Sequence, residues 1–363
     1  MIRFIALSGF LGAGKTTTLM AAARTLEEQG RRVAVITNDQ GADLVDTQLA
    51  QSHVDRVGEV TGGCFCCRFE DLVSVARTLV DDGNVDTLLA ESVGSCTDLQ
   101  ATVVNPMKRY YGDEFTVAPL TTVVEPDRHR ALATALRLED TESDLSYLFG
   151  KQLEEADVIA LNKIDTLVQA ERREITGRLA QRYPQAKIVA YSAATAEGIT
   201  DLVDAWGNDT GSGAVLEIDY DRYANAEAQL AWLNQRFSSS SPQGFVPQTW
   251  ATAALMHLSA RAATKGWTIG HAKVSVRSGT ALTKLSLISA GADPVANTAQ
   301  TEPVHSADIQ FNARVVCDPT DLDAAVQDAV RAADDAAACI SVPLAAPTAF
   351  RPGYPVPVHR IQA

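Results

Sequence analysis

Short apolar runs alternate with stretches of helical periodicity through residues 1–200. Helical patterns occupy residues 15–29, 70–81 and 166–182. This alternation is typical of βα units, in which helices cover the faces of a mostly parallel sheet. We therefore predict an α/β fold for this part of the chain. The predicted buried strands are residues 3–8, 32–38, 85–92, 120–125, 157–163 and 187–193.

The pattern changes after GNDTGSG (207–213), a run of turn-forming residues that we interpret as a domain boundary. Helical patterns follow at about 223–237 and at 249–264. The serine-rich segment SSSSPQG (238–244) lies between them, and we expect it to be a flexible loop.

Alternating apolar and polar residues then indicate β-structure. Residues 272–277 and 282–288 are separated by a short glycine-containing turn, which predicts a hairpin, and residues 309–315 repeat the alternation. The dipeptide 318–319, Asp-Pro, is a typical helix start. The apolar stripe expected on that helix is Leu322, Val326, Val330 and Ala333.

The last stretch, residues 343–358, is rich in proline and is expected to be extended. The sequence thus predicts three parts: an α/β domain at 1–210, a smaller α+β domain at 214–342, and a Pro-rich tail at 343–363.

The composition is that of an ordinary soluble protein, with 46% hydrophobic and 21% charged residues. Acidic residues outnumber basic ones by 45 to 31, and the net charge of −14 argues against nucleic acid as a partner. The amino terminus resembles a strand more than a signal peptide, and no apolar run approaches the ~18 residues of a membrane span. Adjacent cysteines are poor disulfide partners, so we expect a cytoplasmic protein without a membrane partner. The sequence is compatible with a homodimer.

The first predicted strand leads into GFLGAGKT (9–16), which satisfies the pattern G-x-x-x-x-G-K-[ST] in its strand-then-helix context. Glycines there let backbone N–H groups surround phosphates, and the helix start adds its positive dipole end. Lys15 can reach the β- and γ-phosphates, and the Thr16 hydroxyl can bind Mg²⁺. The alternative is a chance glycine-rich turn. The nucleotide-binding residues expected here are Gly9, Gly12, Ala13, Gly14, Lys15, Thr16 and Thr17.

A second signal, LNKID (161–165), ends another predicted strand and contains N-K-x-D, the guanine-reading tetrad of P-loop GTPases. Asp165 would accept from two ring donors while Lys163 packs along the base, and adenine has no such donor pair. YSA (191–193) on the next strand supports this interpretation, whereas a solvated turn is the alternative. The expected guanine-site residues are Asn162, Lys163, Asp165, Ser192 and Ala193.

A third signal, AESVG (90–94), closes the predicted strand at 85–92. A carboxylate at that strand end is well placed to hold Mg²⁺ through water, and the following glycine can donate its N–H toward a γ-phosphate. We assign these roles to Glu91 and Gly94, and we expect Lys15 and Glu91 to be the catalytic residues. Asp86 is the competing carboxylate, but it lies at the start of the strand and is interpreted as structural.

These motifs occur together in one protein family. The chain resembles the CobW/HypB/UreG group of P-loop GTPases, and within it the CobW-like branch of metal chaperones. Four segments carry the resemblance over residues 1–200: GFLGAGKTT, GGCFCC (62–67) as Gly-Cys-x-Cys-Cys, ESVG as Glu-x-x-Gly, and NKID. The resemblance implies a P-loop GTPase domain, GTP and Mg²⁺ as ligands, and a transition-metal cargo for a client metalloprotein or a corrinoid pathway.

The resemblance also implies that Cys64, Cys66 and Cys67 form a metal site. Thiolates suit Zn²⁺ and also bind Co²⁺ or Ni²⁺, with Zn²⁺ favoured over Co²⁺. Three ligands leave a fourth position open for water or another side chain, and an open site suits delivery. A buried, inert turn is the alternative.

The other candidate ligands are weaker. Cys96 follows ESVGS and is either a fourth ligand or a small packing residue, of which the second is the simpler interpretation. Cys317 and Cys339 are interpreted as core residues of the second domain. His53 is the histidine nearest the cysteine motif in sequence, and we expect it on the surface.

Two departures from the family pattern stand out. Where the family commonly has Asn-Glu-x-Gly-Glu, this chain has NDQGAD (38–43), so Asp39 takes the place of the first carboxylate, a Mg²⁺ ligand, and Ala42 replaces the second. Asp43 or Asp46 is a candidate to compensate. Residues 214–363 do not clearly match the usual CobW carboxyl-terminal domain, and we expect the client-binding surface there.

The sequence thus predicts a slow GTPase that acts as a metallochaperone for zinc or cobalt. GTP·Mg²⁺ would order the loops around 38–46 and after Glu91 and close them on the cysteines, and hydrolysis would loosen the metal. A regulatory GTPase for a cobalamin-dependent enzyme, with structural cysteines, is the alternative. A P-loop kinase is disfavoured, because N-K-x-D would then be superfluous.

Overall fold

The computed structural model describes residues 1–38, 50, 54, 56–126, 143–207, 211–346 and 348–361. The chain divides into two compact units. The first contains the described residues up to 226 together with residues 354–361, and the second contains residues 227–353.

The first unit is built from alternating strands and helices. Its elements in chain order are β1 (Ile2–Ser8), α1 (Lys15–Glu28), β2 (Val33–Asn38), β3 (Val57–Val60), α2 (Phe69–Gly83), β4 (Thr87–Glu91), a π-helical turn (Gln100–Val104), α3 (Asn105–Tyr111), β5 (Phe115–Val117), β6 (Thr121–Val124), α4 (Asp144–Glu154), β7 (Val158–Leu161), a 3₁₀ turn (Ile164–Thr166), α5 (Gln169–Arg182), β8 (Lys187–Ala190), α6 (Ile199–Ala205) and α7 (Tyr220–Ala228).

The strands of this unit form one parallel sheet. Among the described residues the order is β3-β2-β4-β1-β6-β7-β8, and β5 pairs with the start of β1. The chain passes from β1 to β2 and then to β3 at the edge, and returns with β4 to the position between β2 and β1. It later continues on the other side of β1 through β6 to β8. The strand order reverses beside β1, and ligands of open α/β sheets bind at the carboxyl ends of strands at such a point.

The predicted α/β fold is confirmed, and all six predicted strands are present. The inner strands are buried on both faces, as the continuous apolar runs require: β2 and β4 have no exposed residue, whereas β8 at the end of the sheet order exposes Lys187. No strand was predicted at β3 or β5, which are only 4 and 3 residues long and lack a distinct apolar run.

The second unit is an antiparallel sheet with helices. Its elements are β9 (Leu230–Phe245), α8 (Pro247–Lys265), β10 (Ile269–Ser278), β11 (Ala281–Leu287), β12 (Val295–Thr298), β13 (Val304–Val316), α9 (Pro319–Ala337), β14 (Ile340–Pro343) and β15 (Thr348–Phe350). The sheet order is β12-β11-β10-β13-β9-β14, with β15 also on β9. Apolar side chains of α8, α9 and the long strands share one buried core. The predicted hairpin and the helix at Asp318, whose side chain accepts from the Thr320 N–H at 2.9 Å, are present.

The interpretation of residues 229–245 was wrong. A helix was expected to 237 and a flexible loop at 238–244, but both lie in β9, which pairs with β13 along most of its length. The alternation there is carried by serines. Ser239 and Ser241 point inward and are buried, because their hydroxyls bond to the Ser341 hydroxyl (2.6 Å) and to the Ala338 carbonyl (2.8 Å).

The boundary between the units lies near residue 226, beyond the turn-rich segment at 207–213. The described part of that segment packs on the first unit, where Ser212 donates its N–H to Asp157 at 2.8 Å and Asn105 donates to the Gly213 carbonyl at 3.0 Å. Within the proline-rich end, β15 pairs with β9. Within the part of the chain described here, no helix is both long and apolar enough to cross a membrane.

Candidate functional site

The loop between β1 and α1 requires glycine at two positions. Gly9 has φ 132°, and a Cβ added there would collide with the carbonyl oxygen of Val123 on β6. Gly14 has φ 95°, and a Cβ there would lie 2.5 Å from Nδ2 of Asn162. Both are conformations that L-residues rarely adopt. Glycine is therefore required at these two positions by the backbone conformation and by the close approach of β6 to Gly9 and of the Asn162 side chain to Gly14.

Lys15 and Thr16, which end this loop, contact different groups. The Lys15 ammonium group donates to the Gly9 carbonyl at 2.6 Å and lies 3.4 Å from the Phe10 carbonyl. The Thr16 hydroxyl lies 3.1 and 3.0 Å from the two carboxylate oxygens of Glu91, which is only 5% exposed at the end of β4. The hydroxyl and the carboxylate, taken from separate motifs, thus converge. This oxygen donor set fits a Mg²⁺ ion, directly or through water.

The N-K-x-D segment is tied to the same loop. Asn162 donates from Nδ2 to the Ala13 carbonyl at 3.0 Å, and its Oδ1 accepts from the backbone N–H of Ala193 at 3.0 Å. Lys163 has φ 60° and donates to the Gly12 carbonyl at 3.1 Å. Asp165 follows on the exposed 3₁₀ turn. The Asp165 residue is thus accessible from solvent.

Residues 191–193 complete this part of the site. Ser192 is fully buried, and its hydroxyl oxygen accepts from the Thr195 N–H at 3.1 Å. The Tyr191 hydroxyl lies 2.7 Å from the Thr18 hydroxyl of α1, a contact that sequence reasoning missed. Thr17 lies between Thr16 and Thr18 in the first turn of α1.

The cysteine loop follows β3 and is held by Asn38, the last residue of β2. Asn38 donates from Nδ2 to the carbonyls of Val60 (2.9 Å) and Gly63 (2.8 Å), and its Oδ1 accepts from the Phe65 N–H (3.0 Å). One buried side chain therefore uses three of its four hydrogen-bonding positions on this loop. Sequence reasoning gave Asn38 no role, although a polar residue that ends a buried strand is a detectable signal.

The three thiols of the loop form a compact cluster. Their sulfur atoms lie within 4.8 Å of one another. The separations are 2.6 Å for Cys64–Cys66, 3.4 Å for Cys64–Cys67 and 3.7 Å for Cys66–Cys67. Zn–S bonds of ~2.3 Å in a tetrahedral site place sulfurs ~3.8 Å apart, so the Cys64–Cys66 pair has to open before the three thiols can hold the ion. The donor set fits Zn²⁺ or Co²⁺.

One negative charge is favoured within this cluster. Hydrogen bonds from the thiols of Cys66, Cys67 and Cys96 hold the pKa of Cys64 well below its usual range. The same arrangement raises the pKa of Cys66 well above its usual range and that of Cys67 to about 11, because both lie beside the Cys64 sulfur. Of the three thiols, Cys64 is therefore the one that loses its proton most readily, and the thiolate is the form of cysteine that binds metal.

The segment after Glu91 links the nucleotide side to the thiols. Gly94 packs against the phosphate loop, where an added Cβ would lie 2.9 Å from the Leu11 nitrogen. Gln152 of α4 donates from Nε2 to the carbonyls of Gly94 (3.0 Å) and Cys96 (2.8 Å). The Cys96 thiol in turn contacts the thiols of Cys64 and Cys66.

Residues 97–100 of the same segment rest on Glu155, which follows α4. The Glu155 carboxylate accepts from the Thr97 hydroxyl at 3.1 Å and from the Gln100 N–H at 3.2 Å. Complete burial raises the pKa of Glu155 to about 8. These contacts hold the segment after Glu91 in place. Neither Gln152 nor Glu155 was identified from the sequence.

Residues 354–361, which we call the strap, return to the first unit and pack beside the cysteines. The Val358 N–H donates to the Cys66 carbonyl at 2.9 Å. Arg360 donates from Nε to the carboxylate of Asp98 at 2.8 Å, and the Tyr220 hydroxyl donates to the same oxygen at 2.7 Å. The strap thus contacts both the cysteine loop and the segment that carries Cys96.

Other sequence candidates lie elsewhere. Asp86 precedes β4 and forms ion pairs with Arg31 (3.0 Å) and Arg32 (3.3 Å), so it is away from the phosphate loop. Cys317 and Cys339 belong to the second unit. Asp39, a predicted Mg²⁺ ligand, and the neighbouring candidates Ala42, Asp43, Asp46 and His53 fall outside the described residues.

The parallel sheet, the glycine loop at its switch point and the converging Thr16 and Glu91 define a P-loop nucleotide-binding protein. The description "CobW/HypB/UreG, nucleotide-binding domain" matches residues 3–190, which are 188 of the 363 residues, and the chain belongs to this family. The resemblance inferred from the motifs is confirmed.

The curated relatives carry names connected with zinc. The chain is 33% identical to "Zinc chaperone CobW" of Pseudomonas aeruginosa over 51% of this chain and 55% of the relative. It is 30% identical to "Zinc chaperone CobW" of a Sinorhizobium species over 48% and 56%, respectively. It is 28% identical to "Zinc-regulated GTPase metalloprotein activator 1" of Dictyostelium discoideum over 50% and 44%. The chain therefore spans about half the length of the curated relatives it matches.

Proposed function

We propose that this protein is a GTP-hydrolysing metallochaperone that delivers a transition metal, zinc or cobalt, to a client protein or a cofactor pathway. One observation supports this most: the segment that starts at Glu91, beside Thr16, reaches the thiol cluster at Cys96. A change at the γ-phosphate position therefore has a short covalent path to the metal ligands. Reduced thiols persist in the cytosol, where we place the protein.

The nucleotide is GTP in this proposal. Asp165 binds the guanine ring, Lys163 packs along it, and Asn162 holds the phosphate loop and residue 193 together. The relative from Dictyostelium is named a GTPase, which supports the same nucleotide. The Asp165 carboxylate accepts two hydrogen bonds from the donor edge of guanine, and adenine has no such donor pair, so ATP is discriminated against.

In this proposal, hydrolysis depends on the positive charges of Lys15 and Mg²⁺ beside the phosphates. Lys15 exchanges its contact with the Gly9 carbonyl for the β- and γ-phosphates, while Thr16 and Glu91 hold Mg²⁺. The Gly94 N–H binds the γ-phosphate. We expect slow intrinsic turnover that a partner accelerates.

Release of the metal follows from the loss of the γ-phosphate. In the GTP-bound form the segment after Glu91 is held against the phosphate loop, and the thiols grip the ion. A ten-thousand-fold difference in affinity between the two forms requires ~5.5 kcal/mol, which the gain or loss of one or two thiolate ligands can supply.

The test is a Zn²⁺ titration of the protein loaded with a non-hydrolysable GTP analogue or with GDP, using a chromophoric chelator as competitor. We expect tighter Zn²⁺ binding in the GTP-like form. The variant in which Cys64, Cys66 and Cys67 are all serine loses this binding, whereas the matched variant Cys317→Ser keeps it. Equal affinity in both nucleotide forms contradicts the proposal.

The second candidate is a regulatory GTPase that acts on a corrinoid-dependent enzyme by protein contact. The burial of Cys64 and Cys66 favours it, because inert structural cysteines are buried in the same way. If the triple serine variant keeps both its metal stoichiometry and its metal-stimulated hydrolysis, this second function stands and metal delivery does not.

A further inference from the structure

We propose that Cys96 is the fourth ligand of a four-thiolate metal site formed with Cys64, Cys66 and Cys67. The inference rests on the proposed function in one respect, namely that the thiol cluster binds a metal. The sequence predicted an open fourth position in the metal site. In the present inference a protein ligand from a different loop occupies that position.

The placement of Cys96 is the first argument. Its thiol lies in hydrogen-bonding contact with both Cys64 and Cys66, although 30 residues separate positions 66 and 96 in the chain. Cys96 has no exposed surface, and Cys64 and Cys66 are 3% and 2% exposed. The thiols of Cys64, Cys66 and Cys96 thus meet away from solvent.

The second argument is that the backbone of Cys96 is held in place. Its N–H donates to the Val93 carbonyl at 3.0 Å, and its carbonyl accepts from Gln152 at 2.8 Å. Gln152 is itself completely buried. Ligands held by such surrounding contacts need little rearrangement, and this preorganisation strengthens metal binding.

The third argument concerns the chemistry of the site. Four thiolates in tetrahedral geometry are a standard Zn²⁺ set, and the same set binds Co²⁺. Among the three loop cysteines the sulfur separations of 3.4 and 3.7 Å already approach the ~3.8 Å of that geometry, and the 2.6 Å Cys64–Cys66 pair must open. Cys96 contacts Cys64 and Cys66 but lies outside the group of three thiols within 4.8 Å, so metal binding must also draw Cys96 and Cys67 together. The half-exposed Cys67 lies at the accessible side, from which the ion enters.

A fourth ligand on this segment gives the nucleotide a direct influence on the metal. Cys96 lies five residues after Glu91 and two after Gly94. Movement of the segment when the γ-phosphate is lost withdraws one sulfur and converts a closed four-thiolate site into an open three-thiolate site. Cys96 is therefore the ligand through which hydrolysis loosens the cargo.

The decisive measurement is the number of sulfur neighbours of the metal. Full-length protein is loaded with Zn²⁺ alone in the presence of the GTP analogue, and X-ray absorption at the zinc edge counts the ligands. We expect four sulfurs for the unmodified protein, and three sulfurs with one lighter atom for Cys96→Ser. The Co²⁺ form should lose part of its sulfur-to-cobalt charge-transfer absorption in the same variant.

Affinity provides the second readout. We expect Cys96→Ser to weaken Zn²⁺ binding by roughly tenfold or more and to reduce the ratio of affinities between the GTP-like and GDP forms. Cys317→Ser, in the second unit, is the matched control and should change neither value. GTP binding by Cys96→Ser, measured separately, shows that the variant is folded.

The possible results separate this inference from the proposed function. Three sulfurs in the unmodified protein, or an unchanged site in Cys96→Ser, overturn the role of Cys96 while metal delivery by the other three thiols stands. Metal binding that survives in the triple serine variant overturns the proposed function itself. If Cys96→Ser does not fold, the sulfur count of the unmodified protein decides alone.

Discussion

The phosphate loop and the thiol cluster are neighbouring parts of one site, but their geometry is maintained differently. In the phosphate loop the backbone dominates: Gly9 and Gly14 have positive φ values, Gly9 abuts the backbone of β6 and Gly14 abuts the Asn162 side chain, so few side chains are tolerated. The thiol cluster instead depends on side chains from several segments, among them Asn38, Gln152 and Arg360. A strict local motif therefore marks the first region, whereas the second is supported by residues that no local motif contains.

The largest effect is expected at the phosphate loop. Gly9→Ala places a methyl group against the Val123 carbonyl at φ 132°, where backbone rather than a flexible side chain must move. We expect a loss of about 4 kcal/mol in the free energy of unfolding, together with loss of nucleotide binding, as measured by urea unfolding and by titration with a fluorescent GTP analogue.

Gly30→Ala is the matched control. Gly30 also has a positive φ, 83°, but an added Cβ there meets nothing within 4 Å. Its cost should be about 1 kcal/mol, from backbone conformation alone. Equal losses in the two variants would show that close approach to β6 does not determine the phosphate loop.

A smaller but more local effect is expected at Asn38. Asn38→Ala leaves the carbonyls of Val60 and Gly63 and the Phe65 N–H without their partner. We expect a loss of about 2–3 kcal/mol in unfolding free energy and weaker Zn²⁺ binding, measured by chelator competition, with GTP affinity nearly unchanged.

Asn38→Asp refines this test. Aspartate keeps an acceptor for Phe65 but removes both donated bonds and places a charge against two carbonyl oxygens. Zn²⁺ affinity should fall in this variant too. If either variant weakens GTP binding as much as Zn²⁺ binding, the two regions are not supported separately.

The smallest effect is expected at the strap. Arg360→Ala removes the cationic partner of Asp98, which keeps the hydrogen bond from Tyr220. We expect a loss of about 1 kcal/mol in unfolding free energy and faster reaction of Cys66 and Cys67 with a thiol reagent, followed by mass spectrometry. Arg351→Ala, which breaks an exposed pair with Asp318 in the second unit, is the control and should leave the labelling rate unchanged. Identical rates in all three proteins would contradict a protective role for the strap.

The sequence predicted those parts of the molecule whose function depends on local spacing. Three motifs could be recognised directly in the sequence, because a turn, a strand end or a short loop determines which residues are neighbours. They are Gly9 to Thr16, Asn162 to Asp165 and the three loop cysteines. The fold class followed from the alternation of apolar runs and helices for the same reason. The parallel sheet then brought these segments together.

The remainder depends on pairings between distant segments. Gln152 meets the Cys96 carbonyl across 56 positions, and Arg360 meets Asp98 across 262. No periodicity encodes such contacts. The error at β9 has a different cause: serines occupy inward positions of a strand, so the apolar alternation that reveals a strand was absent.

The path of the strap also affects how the protein can be divided. A recombinant fragment that stops at residue 226 would contain every recognised motif and the whole parallel sheet, yet Asp98 would be left with Tyr220 alone and the Cys66 carbonyl without its donor. The nucleotide-binding half of this protein is thus assembled from two stretches of sequence that the antiparallel unit interrupts. A faithful fragment would have to splice residues 354–361 back onto it through a linker.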